Sequence, residues 1–201
     1  MQKWEGSQRR IGITGSIASG KTSVGKYLQE IKGYKVLDAD LFAREILSPG
    51  GVITEAVIKR FGENILKRQD ANKIIDRKIL SDIIFNNKSE KLWLESLIHP
   101  IIKKRLEEEL YLSRKLPLIV LIIPLLFEAG LTSLCSEIWV VSCNEGIQLN
   151  RLSSRDKFTR KDAEKRIQGQ WPLKLKEQLA DKVIYNNGSI NKLEKQIEQL
   201  L

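Results

Sequence analysis

One stretch constrains this chain more than any other: Ile11-Gly-Ile-Thr-Gly-Ser-Ile-Ala-Ser-Gly-Lys-Thr22. Ile11 and Ile13 precede it as a short apolar strand, and Val24, Tyr27, Leu28 and Ile31 follow at helical spacing. Gly15, Gly20, Lys21 and Thr22 match the pattern G-x-x-x-x-G-K-[ST]. The glycines let the backbone take unusual dihedrals and approach a ligand closely. Successive amide N–H groups then face inward as an anion-binding nest, and the first helical turn adds its own unpaired N–H groups. In such a loop the lysine supplies a mobile charge for β- and γ-phosphates, and the Thr22 hydroxyl is placed for Mg²⁺. The whole segment Gly15, Ser16, Ile17, Ala18, Ser19, Gly20, Lys21, Thr22 and Ser23 is therefore the expected nucleotide-phosphate cradle.

The elements after the loop predict an α/β fold. Lys35-Val-Leu-Asp-Ala-Asp40 reads as a second strand with two aspartates at its carboxyl end, the edge at which open parallel sheets bind ligands. Two apart in an extended segment, Asp38 and Asp40 would share one face. Asp40 also precedes the helical pattern Leu41–Leu47, so capping is its alternative role. Leu118–Ile123 is a continuous apolar run suited to a strand buried on both faces. Glu137–Val141 and Lys182–Tyr185 read as further strands, and Ile190, Leu193, Ile197 and Leu200 as a closing helix. No aspartate directly follows the Leu118–Ile123 run, which counts against a switch GTPase or motor ATPase.

From Arg44 to about Leu116 only helical patterns occur. Gly62 ends the first of them, Asn72–Phe85 forms another, Ser89 is the expected cap of 90–98, and Pro100 is expected to open a separate helix. Such a block suggests a substrate-covering insertion. Residues 151–176 carry nine Lys/Arg against three acidic residues, +6 of the chain's net +9. A mobile cationic flap over a polyphosphate is the functional reading, because phosphoryl transfer needs charge neutralisation and exclusion of water. Arg151 and Arg155 are its candidate phosphate contacts.

The two cysteines, Cys135 and Cys143, lack metal or redox spacing and read as small buried hydrophobes. Met1–Arg10 has no apolar core, and Leu116–Phe127, the longest apolar run, contains two prolines and is too short for a bilayer. A cytoplasmic location, no membrane partner and a frayed segment 1–10 are expected.

Several blocks in this order resemble one family. They are Thr14–Thr22, Asp38-Ala-Asp40 with Ala43-Arg44, Phe61-Gly62, Arg77 with Leu80, and Trp93-Leu94-x-x-Leu97-Ile98-His99-Pro100. After them come Ile123-Pro-Leu-Leu-Phe-Glu128, Gln148-x-x-Arg151 with Arg155-Asp156, Gln170-x-Pro172-Leu173, and Ala180-Asp181-x-Val183-Ile184 ending in Asn186-Asn187-Gly188. Together they resemble dephospho-CoA kinase, a member of the P-loop nucleoside-kinase-like group. Ser16 and Ala18 stand where that family usually has glycines.

The resemblance implies a three-layer α/β/α P-loop kinase fold with a mostly parallel five-stranded sheet. Its core would be 11–43, 117–150 and 177–201, with a helical CoA-binding insertion at 44–116, a helical lid at 151–176 and an N-terminal extension at 1–10. The implied reaction is transfer of the ATP γ-phosphate to the ribose 3′-hydroxyl of dephospho-CoA, with Mg²⁺, as the last step of coenzyme A synthesis. It further implies Asp40, then Asp38, as the group that orients or accepts the hydroxyl proton. Lys21 and Arg151 would stabilise the transferring phosphate, Gly15–Ser23 and Arg155 would bind ATP, and Thr22 would ligate the metal. Arg77 and His99 are the implied substrate contacts, with a surface or structural role as the alternative for each. Two other classes compete. A nucleoside monophosphate kinase would share loop and lid but lacks the Leu-Ile-His-Pro block. A nucleic-acid-stimulated ATPase fits the net charge, but its basic residues would not be gathered in one flap, and no nucleic-acid partner is expected.

Overall fold

A computed structural model describes residues 1–67 and 72–201. Contacts divide the chain into two compact units, Met1–Ala39 with Glu107–Leu201, and Asp40–Leu106.

The first unit is built on five strands: β1 (Arg9–Thr14), β2 (Lys35–Asp38), β3 (Leu118–Ile122), β4 (Glu137–Ser142) and β5 (Lys182–Tyr185). Their order is β2-β3-β1-β4-β5, and all four pairings are parallel. Parallel neighbours need crossovers on the sheet faces, so both faces must be apolar. Residues 119–122 of β3 and 138–142 of β4 are accordingly buried without interruption. One face packs Ile11, Ile13, Val120, Ile122, Trp139, Val141 and Ile184 against Val24 and Leu28 after the loop and against Leu193 and Ile197 of a C-terminal helix. Trp139 is fully buried and satisfies its indole N–H on Glu137 Oε2 at 2.8 Å, which lets a large polar-tipped ring sit in the core.

The helices, in chain order, are α1 (Lys21–Lys26), continued by a π turn over Tyr27–Ile31, α2 (Ala39–Ile46), α3 (Val52–Phe61), α4 (Arg77–Asn86), α5 (Lys88–Leu112), α6 (Glu145–Asp156), α7 (Arg160–Gln168), α8 (Leu173–Leu179) and α9 (Ile190–Glu198). The N-terminal segment corrects the expectation of fraying. Arg9 and Arg10 open the central strand. Before them, the Trp4 amide donates to the Cys135 carbonyl (2.9 Å), Lys3 pairs with Asp181 (2.5 Å), and the Gln2 carbonyl accepts from Thr132 Oγ1 (3.0 Å). Gln8 is buried and donates Nε2 to the carbonyls of Ser113 and Leu116, at 2.9 and 2.8 Å, just beyond the end of α5. Carbonyls past a helix end need donors, and a polar N-terminal sequence supplies one here.

The second unit is helical: α2, α3, α4 and most of α5. Two sequence expectations change within it. Residues 72–76 are not helical; Ile75 bridges Leu66, and the Asp76 carboxylate caps α4 by accepting from the Lys78 and Ile79 amides. The cap of the next helix is Asn87, whose Oδ1 accepts from the Ser89 and Glu90 amides, so Ser89 is already inside it. Pro100 also does not open a helix; α5 runs straight through it. An interior proline costs about 3 kcal/mol. Against that, Leu94, Ile98, Ile102, Leu106 and Leu110 recur every four residues and are all nearly buried, each worth about 1.5–3 kcal/mol. One continuous stripe outweighs one missing hydrogen bond. The last turns of α5 count with the first unit, where Glu109 pairs with Lys35 of β2 at 3.0 Å and Leu110 is buried.

Candidate active site

β1 ends at Thr14 on the carboxyl edge of the sheet, and the glycine-rich loop leaves from there. Gly15 has φ 145° and lies so close to β4 that a Cβ would sit 2.3 Å from the Val141 carbonyl oxygen. Gly20, at φ 103°, precedes α1, and a Cβ there would meet Asn186 Nδ2 at 1.9 Å. Gly20→Ala is therefore expected to lower stability by about 1–3 kcal/mol, since an alanine would hold a strained dihedral and displace Asn186. Denaturant unfolding measures it; an unchanged midpoint would mean that the loop relaxes freely. Ala18 also takes a left-handed conformation (φ 58°), which costs a side-chain-bearing residue about 1–2 kcal/mol. An alanine here keeps the loop's path at the expense of strain.

The loop is braced by side chains from distant parts of the first unit. Gln148 of α6 donates Nε2 to Ser16 Oγ and to the Ile17 carbonyl, both at 2.6 Å. Three residues along the same helix, Arg151 donates Nη1 to the Ala18 and Ser19 carbonyls (3.3 Å each) and Nη2 to the Asn186 carbonyl (3.0 Å). Asn186, just past β5, gives its own Nδ2 to the Ser19 carbonyl at 2.9 Å. Gln170 accepts the Ile17 amide at 2.8 Å. Side chains from distant elements thus hold the loop carbonyls of Ile17, Ala18 and Ser19. Lys21, only 9% exposed, donates Nζ to the Gly15 and Ser16 carbonyls at 3.1 and 2.9 Å. Thr22 is exposed on the first turn of α1 and Ser23 is half-buried. The Ser19 hydroxyl is buried with no hydrogen-bond partner among the described residues. Burial raises the Cys143 thiol pKa, with Arg151 and Lys21 opposing it, and pushes Cys135 up to about 12, so both cysteines are inert apolar fillers near neutral pH.

The segment read as a free cationic flap is more anchored than its composition suggests. Lys176 is fully buried in α8 and pairs with Glu128 at 2.7 Å. The Trp171 amide donates to Glu128 Oε1 at 3.1 Å, and its ring stacks on Phe127 with centroids 6.4 Å apart. Arg166 is buried beneath Phe158. A count of charges along the sequence cannot tell a buried pair from a solvated face. Arg155, on the last turn of α6, is exposed.

The two aspartates part company. The register pairs both Asp38 and Ile13 with Ile122, so Asp38 ends its strand on the edge from which the loop departs. The strand stops there. Asp40 lies in the first turn of α2, exposed, and the contact division assigns it to the second unit. The expected shared face of an extended Asp-Ala-Asp is thus lost, because the backbone turns helical at Ala39. Arg77 and His99 also belong to the second unit. Arg77 opens α4 and donates Nη2 to the Arg44 carbonyl at 3.4 Å, and His99 lies half-buried in α5. The braces Gln148, Gln170 and Asn186 were visible only as members of motif blocks. The i, i+3 spacing of Gln148 and Arg151 on one helix face was the one physical signal that could have singled them out.

Known proteins resemble this chain in sequence and fold. The family model described as Dephospho-CoA kinase matches residues 9–192. A protein of Prochlorococcus marinus named dephospho-CoA kinase is 48% identical over 100% of this chain and 96% of its own length. The solved dephospho-CoA kinase from Campylobacter jejuni superposes with a TM-score of 0.62 at 28% identity, covering 97% of this chain and 96% of that one. A solved Thermus thermophilus protein, TT1252, does so with a TM-score of 0.75 at 31% identity, covering 97% of each chain. With a glycine-rich loop at the carboxyl edge of a parallel five-stranded sheet and a family match across nearly its whole length, this chain belongs to the dephospho-CoA kinase family.

Proposed function

We propose that this enzyme moves the γ-phosphoryl group of ATP to the ribose 3′-hydroxyl of dephospho-CoA, giving CoA and ADP. The observation that carries the reading is the braced loop, with Lys21 inside it and Asp38 on the same sheet edge. In the reaction the hydroxyl oxygen forms a bond to the γ-phosphorus as the bond to the ADP oxygen breaks. The hydroxyl proton passes to a carboxylate, for which we propose Asp40, with Asp38 second. Transfers of this kind rest on positioning and charge stabilisation, so a carboxylate of ordinary acidity suffices. Loop amides and Lys21 hold the ATP phosphates. Arg151 adds its charge while orienting the loop, and exposed Arg155 is the cation proposed to reach the nucleotide. Residues 44–116 supply the acceptor site, with Arg77 and His99 as contacts, and 151–176 form the lid.

Magnesium fits the donor set. Among the described residues no group of three or more carboxylates, histidines or cysteines could hold an ion, so any metal must be held largely by phosphate and water. That is how Mg²⁺ binds in nucleotide sites, and Thr22 offers an exposed hard oxygen donor. When bound, the ion neutralises charge on the β- and γ-phosphates. No helix among the described residues is long and apolar enough to cross a membrane, and we propose a cytoplasmic enzyme with no nucleic-acid partner.

Mass-spectrometric detection of CoA from dephospho-CoA and ATP–Mg²⁺ tests the reading, with AMP, CMP and dTMP as rival acceptors. Asp40→Asn is expected to lower kcat by about 10²-fold or more. Preference for a nucleoside monophosphate would overturn the substrate, and full activity of the variant would overturn the role of Asp40.

A further inference from the structure

The amino edge of the sheet carries a cavity, about 440 Å³ in volume, within the first unit. Arg10 lines it, near the start of β1, while the phosphate loop leaves the other end of that strand, roughly 15 Å away at the rise of a β-strand. Arg10 is only 8% exposed. Its guanidinium lies 3.6 Å from the Trp4 ring centroid and donates Nε to Gln8 Oε1 at 2.9 Å. No carboxylate pairs with it among the described residues. Burial depresses its pKa, as expected for a cation withdrawn from water without a counter-charge. A charge so placed is costly unless an anion completes it.

The other walls suit such a ligand. Arg114 lies over the Tyr111 ring at 4.3 Å and adds a second guanidinium. Leu110 and Leu134 are buried and apolar, and the Trp4 and Tyr111 rings flank them. Glu107 is the one carboxylate on the lining, so the walls carry net positive charge. The volume falls in the range of small-molecule sites, which combine apolar walls with a few directed polar groups. We propose that this cavity binds a small organic anion, a carboxylate or phosphate carried on an apolar body, with Arg10 and Arg114 taking the charge and Leu110, Leu134 and Tyr111 the body. The N-terminal segment, through Trp4, is then one wall of a ligand site.

The test is ¹⁵N–¹H NMR of the full chain, following the Trp4 indole signal, which reports this edge and not the phosphate loop. Four probes are titrated: benzoate, phenyl phosphate, inorganic phosphate and benzyl alcohol. The first two are expected to shift the signal saturably with Kd of about 1 mM or tighter. Arg114→Ala is expected to weaken both by about tenfold or more, the worth of a charged hydrogen bond. Arg10→Gln should abolish the shift, and if that variant fails to fold, Arg114→Ala with Tyr111→Ala decides the matter. Which of the two anionic probes binds more tightly distinguishes a carboxylate ligand from a phosphate. Benzyl alcohol binding as well as benzoate would show a merely apolar crevice. Inorganic phosphate matching phenyl phosphate would remove the apolar body from the proposal, and no saturable shift with any probe would remove the site.

Discussion

Lys21→Met is expected to lower kcat for phosphoryl transfer by about 10³-fold, with the fold retained. The estimate rests on what a preorganised donor contributes when it faces charge that develops in the transition state, about 10²–10³ per group. Lys21 is only 9% exposed and donates to the Gly15 and Ser16 carbonyls, so its ammonium is held against the loop backbone. Methionine keeps the length and the apolar stem, which limits the loss of packing. The braces from Gln148, Arg151 and Asn186 stay in place, because none of them bonds to Lys21 in the contacts that hold the loop. ATP affinity is expected to fall less than kcat, since the amides still bind phosphate and the lysine matters most as the phosphoryl group moves. Steady-state kinetics with an independent measurement of ATP binding separates the two. A kcat within threefold of the parent would show that the ammonium does not reach the transferring group.

Where local spacing dictates the outcome, the sequence was a sufficient guide. The glycine loop, the positions of the five strands and the closing helix all follow from patterns within ten or so residues, and the unbroken apolar run at 118–123 correctly marked a strand covered on both faces. What stayed hidden depends on partners far along the chain. Gln170 meets Ile17 across 153 residues, and Gln8 meets Ser113 across 105. A polar N-terminus reads as frayed until the carbonyls that need its donors are known. Pro100 read as a helix start because a proline rule is local, whereas the stripe that overrides it runs from Leu94 to Leu110. Asp38 and Asp40 looked alike in the sequence and differ in the fold, since a strand that ends at 38 leaves the next carboxylate to a helix.

The second large effect lies in an ion pair one member of which, Lys176, falls in the segment read from composition as a cationic flap. Glu128→Ala is expected to destabilise the protein by about 3–5 kcal/mol, because breaking a buried ion pair by removing one member is strongly destabilising. Lys176 has no exposed side-chain surface, Glu128 has 15%, and their charged atoms are 2.7 Å apart, so solvent does little to screen the loss. The Pro124 carbonyl, 3.3 Å from the same ammonium, is a neutral acceptor and cannot replace a carboxylate. A combined Glu128→Leu and Lys176→Met variant is expected to recover most of the stability, since apolar replacements of both members are often neutral or better. Activity should not recover with it. Glu128 also accepts the Trp171 amide, and the neighbouring Gln170 holds the Ile17 amide of the phosphate loop. The double variant is therefore expected to fold well yet show a raised KM for ATP, separating the structural task of the pair from its hold on the loop. Chemical unfolding and steady-state kinetics on the same three proteins provide the check. A single variant within 1 kcal/mol of the parent by that unfolding measurement would mean that the ammonium does not depend on Glu128, and an unchanged KM in the double variant would cut the link between Glu128 and the loop.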